Sequence, residues 1–151
     1  HHTCPMPKID IIAAGKMRDK NQLALIQDYG KRMAWDLNII EVPDKNPDDI
    51  DAKIIDKIVK QAFVIALDER GKSISSRKLA SKLDSLFLDG QNHIQFLIGG
   101  ANGFGESIHK NTNFCLSFGV QTWPHMMVRI MLLEQLYRAQ QIIAGHPYHR
   151  D

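Results

Sequence analysis

Five short apolar runs alternate with stretches of helical periodicity, each run ending at glycine, proline or a polar turn, and this alternation limits what the chain can fold into. Lys8 to Ala14 reads as a strand closed by Gly15, and Arg18 to Trp35 as a helix with Leu23, Ile26, Tyr29 and Met33 on one face. Leu37 to Val42 is a second strand, stopped by Pro43. Asp44 to Asp49 is a turn-rich linker, in which Asp48 or Asp49 can cap a helix faced by Ala52, Ile55, Ile58 and Val59. Phe63 to Leu67, Ile94 to Ile98 and Phe114 to Phe118 supply three more strands. Ser75 or Ser76 caps a helix striped by Leu79, Leu83, Leu86 and Phe87, and Asp89-Gly90-Gln91-Asn92 forms a turn. Pro124 opens a final helix, Met126 to Ile143, stopped by Gly145 and Pro147. Strands alternating with helices predict an α/β fold with a mainly parallel sheet flanked by helices.

The rest of the composition narrows the class. With 151 residues, 44% hydrophobic and 24% charged, the chain fits one soluble domain with a proper core. No apolar stretch approaches the ~20 residues of a membrane span. The start lacks a charged segment followed by an apolar one, and the two cysteines, Cys4 and Cys115, imply neither a metal-ligand pattern nor a disulfide framework, so a reducing cytoplasm is the expected compartment. His1-His2-Thr3-Cys4-Pro5 reads as a tag remnant, which leaves residues 6–151 as the domain, with Met6 as the expected native start. Cys115, set among apolar residues, is then expected to act as a small buried hydrophobe. The net charge of +2 neither demands nor forbids a nucleic-acid partner.

Function should be sought in the last third. Leu97-Ile98-Gly99-Gly100-Ala101-Asn102-Gly103-Phe104-Gly105 and Leu116-Ser117-Phe118-Gly119-Val120-Gln121-Thr122-Trp123-Pro124-His125 both follow apolar runs. Glycines at strand ends let a ligand approach main-chain atoms. Leu67-Asp68-Glu69-Arg70-Gly71 ends a third strand on the same expected edge, where open α/β sheets bind ligands. The glycines fit neither a G-x-x-x-x-G-K-[ST] loop nor a G-x-G-x-x-G register. Nor is there a Gly-x-Ser-x-Gly elbow. His146 and His149 are too few for a metal site. The final helix is apolar on nearly every face, from Met126 to Ile143, and must be covered on more than one side, either by the sheet and a second subunit or as the central buried helix of a monomer. Glu134 and Arg138, four apart on it, are placed to pair. Physical reading ends at an α/β domain with a backbone-lined pocket, self-association and a polar tail.

The blocks Ile9 to Lys16, Ala66 to Lys72, Leu97 to Gly100, Leu116 to Phe118, Thr122 to His125, Leu133 to Ala139 and Pro147-Tyr148-His149 resemble the RlmH family of SPOUT-class methyltransferases. The resemblance spans nearly everything after the tag. It implies a C-terminal deep trefoil knot, a homodimer, and transfer of a methyl group from S-adenosylmethionine to N3 of a pseudouridine in large-subunit ribosomal RNA. By position, Leu67, Gly99, Phe118, Gly119, Val120, Gln121, Thr122 and Trp123 correspond to cofactor-binding places. Arg138, Tyr148 and His149 match the catalytic or substrate-binding region, with His125 structural or cofactor-side and no metal. Gly119-Val120-Gln121 and Met126-Met127 depart from the family pattern.

Methylating N3 requires its proton to leave, and the resemblance suggests His149 for that step or Arg138 for stabilising the anion. With little excess charge, one subunit would recognise RNA through a dimer surface and an assembled ribosome, with Lys72, Arg77, Lys78 and Arg150 as candidate contacts. The rival readings are a nucleotide-dependent α/β enzyme and a non-catalytic ribosome-binding factor of the same fold.

Overall fold

The computed structural model of the chain describes residues 5–148. Five strands, β1 (Lys8–Ala14), β2 (Asp36–Val42), β3 (Phe63–Ser73), β4 (His93–Ile98) and β5 (Phe114–Ser117), form one sheet in the order β2-β1-β4-β3-β5. Every pairing is parallel. Four α-helices connect them, α1 (Lys20–Arg32), α2 (Ile50–Asp56), α3 (Ser76–Leu88) and α4 (Glu106–Lys110), and a fifth, α5 (His125–Ile143), follows β5.

Side chains alternate across a strand, so β1 feeds two cores. Ile9, Ile11 and Ala13 join Leu79 and Leu83 of α3 and Leu132, Leu133 and Leu136 of α5. Ile12 and Ala14 join Ile50 and Ile54 of α2, Phe104, and Ile108 of α4. The result is three layers, with α1, α3 and α5 on one face and α2 and α4 on the other.

Local chemistry sets the helix ends. Asp19 caps α1 by accepting from the N–H groups of Asn21 and Gln22, so the helix starts two residues after Arg18 and ends before Trp35. Ser75, rather than Ser76, caps α3 by accepting from Lys78 N–H, which leaves the Ser76 hydroxyl to donate to Gln135 Oε1 at 2.5 Å. The expected face of α2 is half right: Ile55 and Ile58 pack against the second core, but Ile50 and Ile54 are the fully buried residues and Ala52 and Val59 are exposed, because α2 begins one residue after Asp49 and is only two turns long. Asp49 makes no side-chain cap there; Asn46 caps the preceding 3-10 turn (Pro47–Asp49) instead.

Two features escape the apolar pattern. The short helix α4 shows no stripe, since five residues bury only Ile108. Strand β3 runs six residues beyond Leu67, its register slipping so that both Leu67 and Lys72 face Leu116. Asp68-Glu69-Arg70-Gly71 therefore bulges out of the sheet. A Cβ on Gly71 would lie 2.8 Å from the Cys115 main chain, so the return of the bulge requires glycine.

Candidate functional site

The carboxyl ends of β3, β4 and β5, with the loops that follow them, enclose a cavity of 690 Å³. Leu67, Ile98 and Leu116 lie at its strand-end floor. Its walls are Asp68-Glu69-Arg70, the Gly99 to Phe104 loop, the Phe118 to Trp123 loop, and His125 and Val128 from the start of α5. Of the eight residues expected at a cofactor, Leu67, Gly99, Phe118, Gly119, Gln121, Thr122 and Trp123 line this one space. Val120 does not: it is 90% exposed.

The loops hold themselves in shape. Gly119 sits at φ 108°, a conformation open to glycine, with its N–H donating to Ser117 Oγ at 3.1 Å while the Ser117 hydroxyl donates to Gly119 O at 2.8 Å. Thr122 Oγ1 donates to Glu69 Oε2 at 2.8 Å, tying this loop to the β3 bulge. Gly99 is buried beneath Phe104, whose ring a Cβ would approach to 3.0 Å. The glycine thus lets an aromatic ring close one wall.

The walls carry a net negative charge. Asp68 and Glu69 face a single guanidinium, Arg70, already committed to Asp68 by a 2.8 Å ion pair. The Arg70 side-chain hydrogen bond, outweighing burial, holds the Asp68 carboxyl below its ordinary range. Arg70 Nη2 also donates to Phe104 O at 3.2 Å, bracing the glycine loop. Behind the cavity, Cys115 is half-buried rather than fully enclosed, its Sγ 3.6 Å from His109 Nδ1. Among the described residues no group of three or more His, Cys, Asp or Glu could hold a metal, and no helix is long and apolar enough to cross a membrane.

The first turns of α5 are bolted to the sheet by Arg129, 1% exposed and without any signal in the apolar pattern. Its Nη1 donates to Glu41 Oε2 at 2.6 Å and its Nη2 to Gly15 O at 3.1 Å. Glu41 also accepts from Met17 N–H, and these donors overcome burial to lower its pKa.

Arg138 and Tyr148 lie elsewhere. Arg138 is thirteen residues along α5 from His125, about 20 Å at the helical rise. Gly145, at φ 73°, turns the chain after α5, and His146 N–H caps Gln141 O at 2.8 Å. The turn brings Tyr148 back over α5, where its ring stands edge-on to Tyr137 with centroids 4.9 Å apart. The Tyr148 hydroxyl donates to Glu134 Oε1 at 3.1 Å, and Arg138 Nη2 pairs with the same oxygen at 2.8 Å. The Glu134–Arg138 pairing expected from spacing is therefore present, with a tyrosine added. His149 and Arg150 lie outside the described residues. Of the other proposed RNA contacts, Lys72, Arg77 and Lys78 are exposed around the β3–α3 junction.

A parallel sheet with a glycine-edged, net-acidic cavity at its carboxyl edge marks a ligand-binding α/β domain. Residues 7–149 match the family model described as a predicted SPOUT methyltransferase. The chain is 41% identical over 157 residues to ribosomal RNA large subunit methyltransferase H of Clostridium botulinum strain Langeland, covering 94% of this chain and 99% of the relative. It is 42% identical over 158 residues to the protein of that name from Bifidobacterium adolescentis, covering 95% and 99%. Among solved structures, it is similar to a probable methylase family protein from Haemophilus influenzae Rd KW20, at TM-score 0.58 and 11% identity over 95% of this chain and 70% of that one. It is also similar to the SpoU methyltransferase AviRb from Streptomyces viridochromogenes, solved with the cofactor AdoMet, at TM-score 0.51 and 12% identity over 91% and 59%. The chain belongs to the SPOUT methyltransferase family. Within it, the near-full-length relatives are the large subunit methyltransferase H proteins, the group its sequence blocks resemble.

Proposed function

We propose that this protein is an S-adenosylmethionine-dependent methyltransferase that acts on N3 of a pseudouridine in large-subunit ribosomal RNA, as a homodimer working on the assembled ribosome in the cytoplasm. The observation that carries this reading is the match, along nearly the whole chain, to relatives named ribosomal RNA large subunit methyltransferase H. The cavity supports it. Its volume suits a nucleoside-sized ligand. Its lining, two carboxylates against one paired guanidinium, suits a cationic sulfonium and disfavours the phosphates of a nucleotide-dependent enzyme. The 99–105 and 118–123 loops would be the crossings of the trefoil knot.

S-adenosylmethionine, when bound, supplies an electrophilic methyl group. Main-chain groups of Leu67, Gly99 and the Phe118 to Trp123 loop would hold and orient it, with Phe104 and Leu116 excluding water from one side. Val120, facing solvent, would contribute its backbone only. Arg138 is the proposed stabiliser of the N3 anion, and His149 the proposed acceptor of its proton.

Arg138 lies about 20 Å along α5 from His125 at the cavity, a separation that supports a site shared with a second copy. On the outer side of α5, Met127 is 43% exposed, and Ile130 and Met131 are only half-buried. Packing this face against its twin would cover apolar surface and set the Arg138–Tyr148 arm of one subunit over the cavity of the other. The tail's organised ion pair and tyrosine disfavour the non-catalytic rival.

Ribosomes lacking this modification, incubated with the protein and methyl-labelled S-adenosylmethionine, should gain one methyl group on a large-subunit pseudouridine, read by mass spectrometry of rRNA fragments. No transfer, or transfer to another base, would contradict the reading.

A further inference from the structure

The surface helix α1 buries no residue fully, yet two of its side chains are ordered against the end of α5. The Tyr29 hydroxyl donates to Glu134 Oε2 at 2.5 Å, the carboxylate that also takes Tyr148 and Arg138. The Arg32 guanidinium lies 4.8 Å from the Tyr29 ring centroid and 4.6 Å from that of Tyr137. Arg138 lies 4.9 Å from the Tyr148 ring. Tyr29, Arg32, Tyr137, Tyr148 and Arg138 thus form a ladder of ring–cation contacts, joined ring to ring at Tyr137 and Tyr148, around one carboxylate.

The ladder is closed on itself. Each of its three rings already has a guanidinium at its face, so it is built to hold the arm rather than to receive an RNA base. Of the groups converging on Glu134, Tyr29 is the donor that comes from a separate element, and Asp28 pairs with Arg32 at 3.0 Å to fix the guanidinium from behind.

We propose that Tyr29 and Arg32 are positioning residues for methyl transfer: through Glu134 and Tyr137 they fix Tyr148 and Arg138 in the attitude the partner's cavity needs. The inference rests on the reading of Arg138 and Tyr148 as the catalytic arm. It goes beyond that reading by assigning a role to α1, which touches no part of the cavity.

The test is Tyr29→Phe, which keeps the ring and removes the hydroxyl. In ribosome methylation, kcat should fall about tenfold while the affinity for S-adenosylmethionine, measured by calorimetry, stays at the wild-type value. In a cycle with Glu134→Gln, the double variant should be no slower than Glu134→Gln alone, since both changes break one connection. Arg32→Lys, which keeps charge but loses the planar stack, should not behave as wild type. Carboxypeptidase trimming past Tyr148, a readout independent of catalysis, should speed about fivefold in Tyr29→Phe. Wild-type kcat and trimming in Tyr29→Phe would overturn the inference. So would fully additive losses in the cycle, or a loss of donor affinity matching the loss of rate. If the wild-type protein transfers no methyl, the functional reading fails, while the trimming comparison still decides whether Tyr29 fixes the tail.

Discussion

The cavity and the arm are built by opposite means. The cavity is shaped by main chain: three adjacent strand ends, a bulge that Gly71 allows to return, and loops turned by glycine. The arm is shaped by side chains gathered from distant sequence, with Tyr29 and Glu134 separated by 105 positions. A backbone-built site tolerates changes of side chain that point outward but not added bulk at its glycines. A site built from one shared carboxylate tolerates changes of bulk better than the loss of a single donor.

The largest effect should come from Gly99→Val. The new side chain would drive Phe104 off the strand end, and such overpacking costs about 1–3 kcal/mol of stability. Affinity for S-adenosylmethionine, measured by calorimetry, should drop at least about 100-fold. Binding within a fewfold of wild type would break the claim that the backbone of this loop is the site. Arg138→Ala should next lower methyl transfer by about 100-fold and leave donor affinity unchanged, which sharpens the division between holding the donor and presenting the base.

The comparison also shows what the sequence makes legible. The strands and a pocket at their glycine-edged ends could be read because apolar runs and glycines are local signals, whereas the eight residues expected at the cofactor came from the family resemblance, and seven of them share one space. The β3 bulge could not, since Asp68 to Gly71 looks like an ordinary strand end until Lys72 rejoins Leu116. Helix α4 carries too few residues to show a period, and the exposed half of the expected α2 face, Ala52 and Val59, reflects the same shortness. Tyr29 looked like one more member of an apolar stripe. Nothing within α1 reveals that its hydroxyl meets Glu134, because that contact exists only after α1 and α5 are laid side by side. Arg129 was hidden similarly, a charge inside an apolar helix whose partners come from β2 and the loop after β1.

A smaller effect concerns proton binding. Burial, and then the bond to Glu134, push the Tyr29 phenol up from 10.0 to about 12. A folded-state pKa above the unfolded one means that this stabilisation is full below pH 10.0 and fades as pH climbs through about 12. Alkaline titration of tyrosine absorbance should therefore show late-titrating phenols, Tyr148 also being raised by burial and Glu134, and Tyr29→Phe should reduce that late amplitude. An undiminished late amplitude in the variant would dissolve the proposed link between α1 and the arm. The smallest effect should be that of Val120→Ser, which ought to leave donor affinity within about twofold, because a side chain facing water has little apolar contact to lose. A marked loss would mean the loop closes over the donor.

The central claim is that cavity and arm meet across two subunits, and it can be tested by mixing chains. Gly99→Val lacks a working cavity and Arg138→Ala a working arm, so each homodimer should be nearly inactive. Unfolded together and refolded as a one-to-one mixture, they should regain about a quarter of wild-type methyl transfer, since half the dimers are mixed and each mixed dimer holds one intact site. No recovery beyond the two separate variants would show that the cavity and the arm act within a single chain.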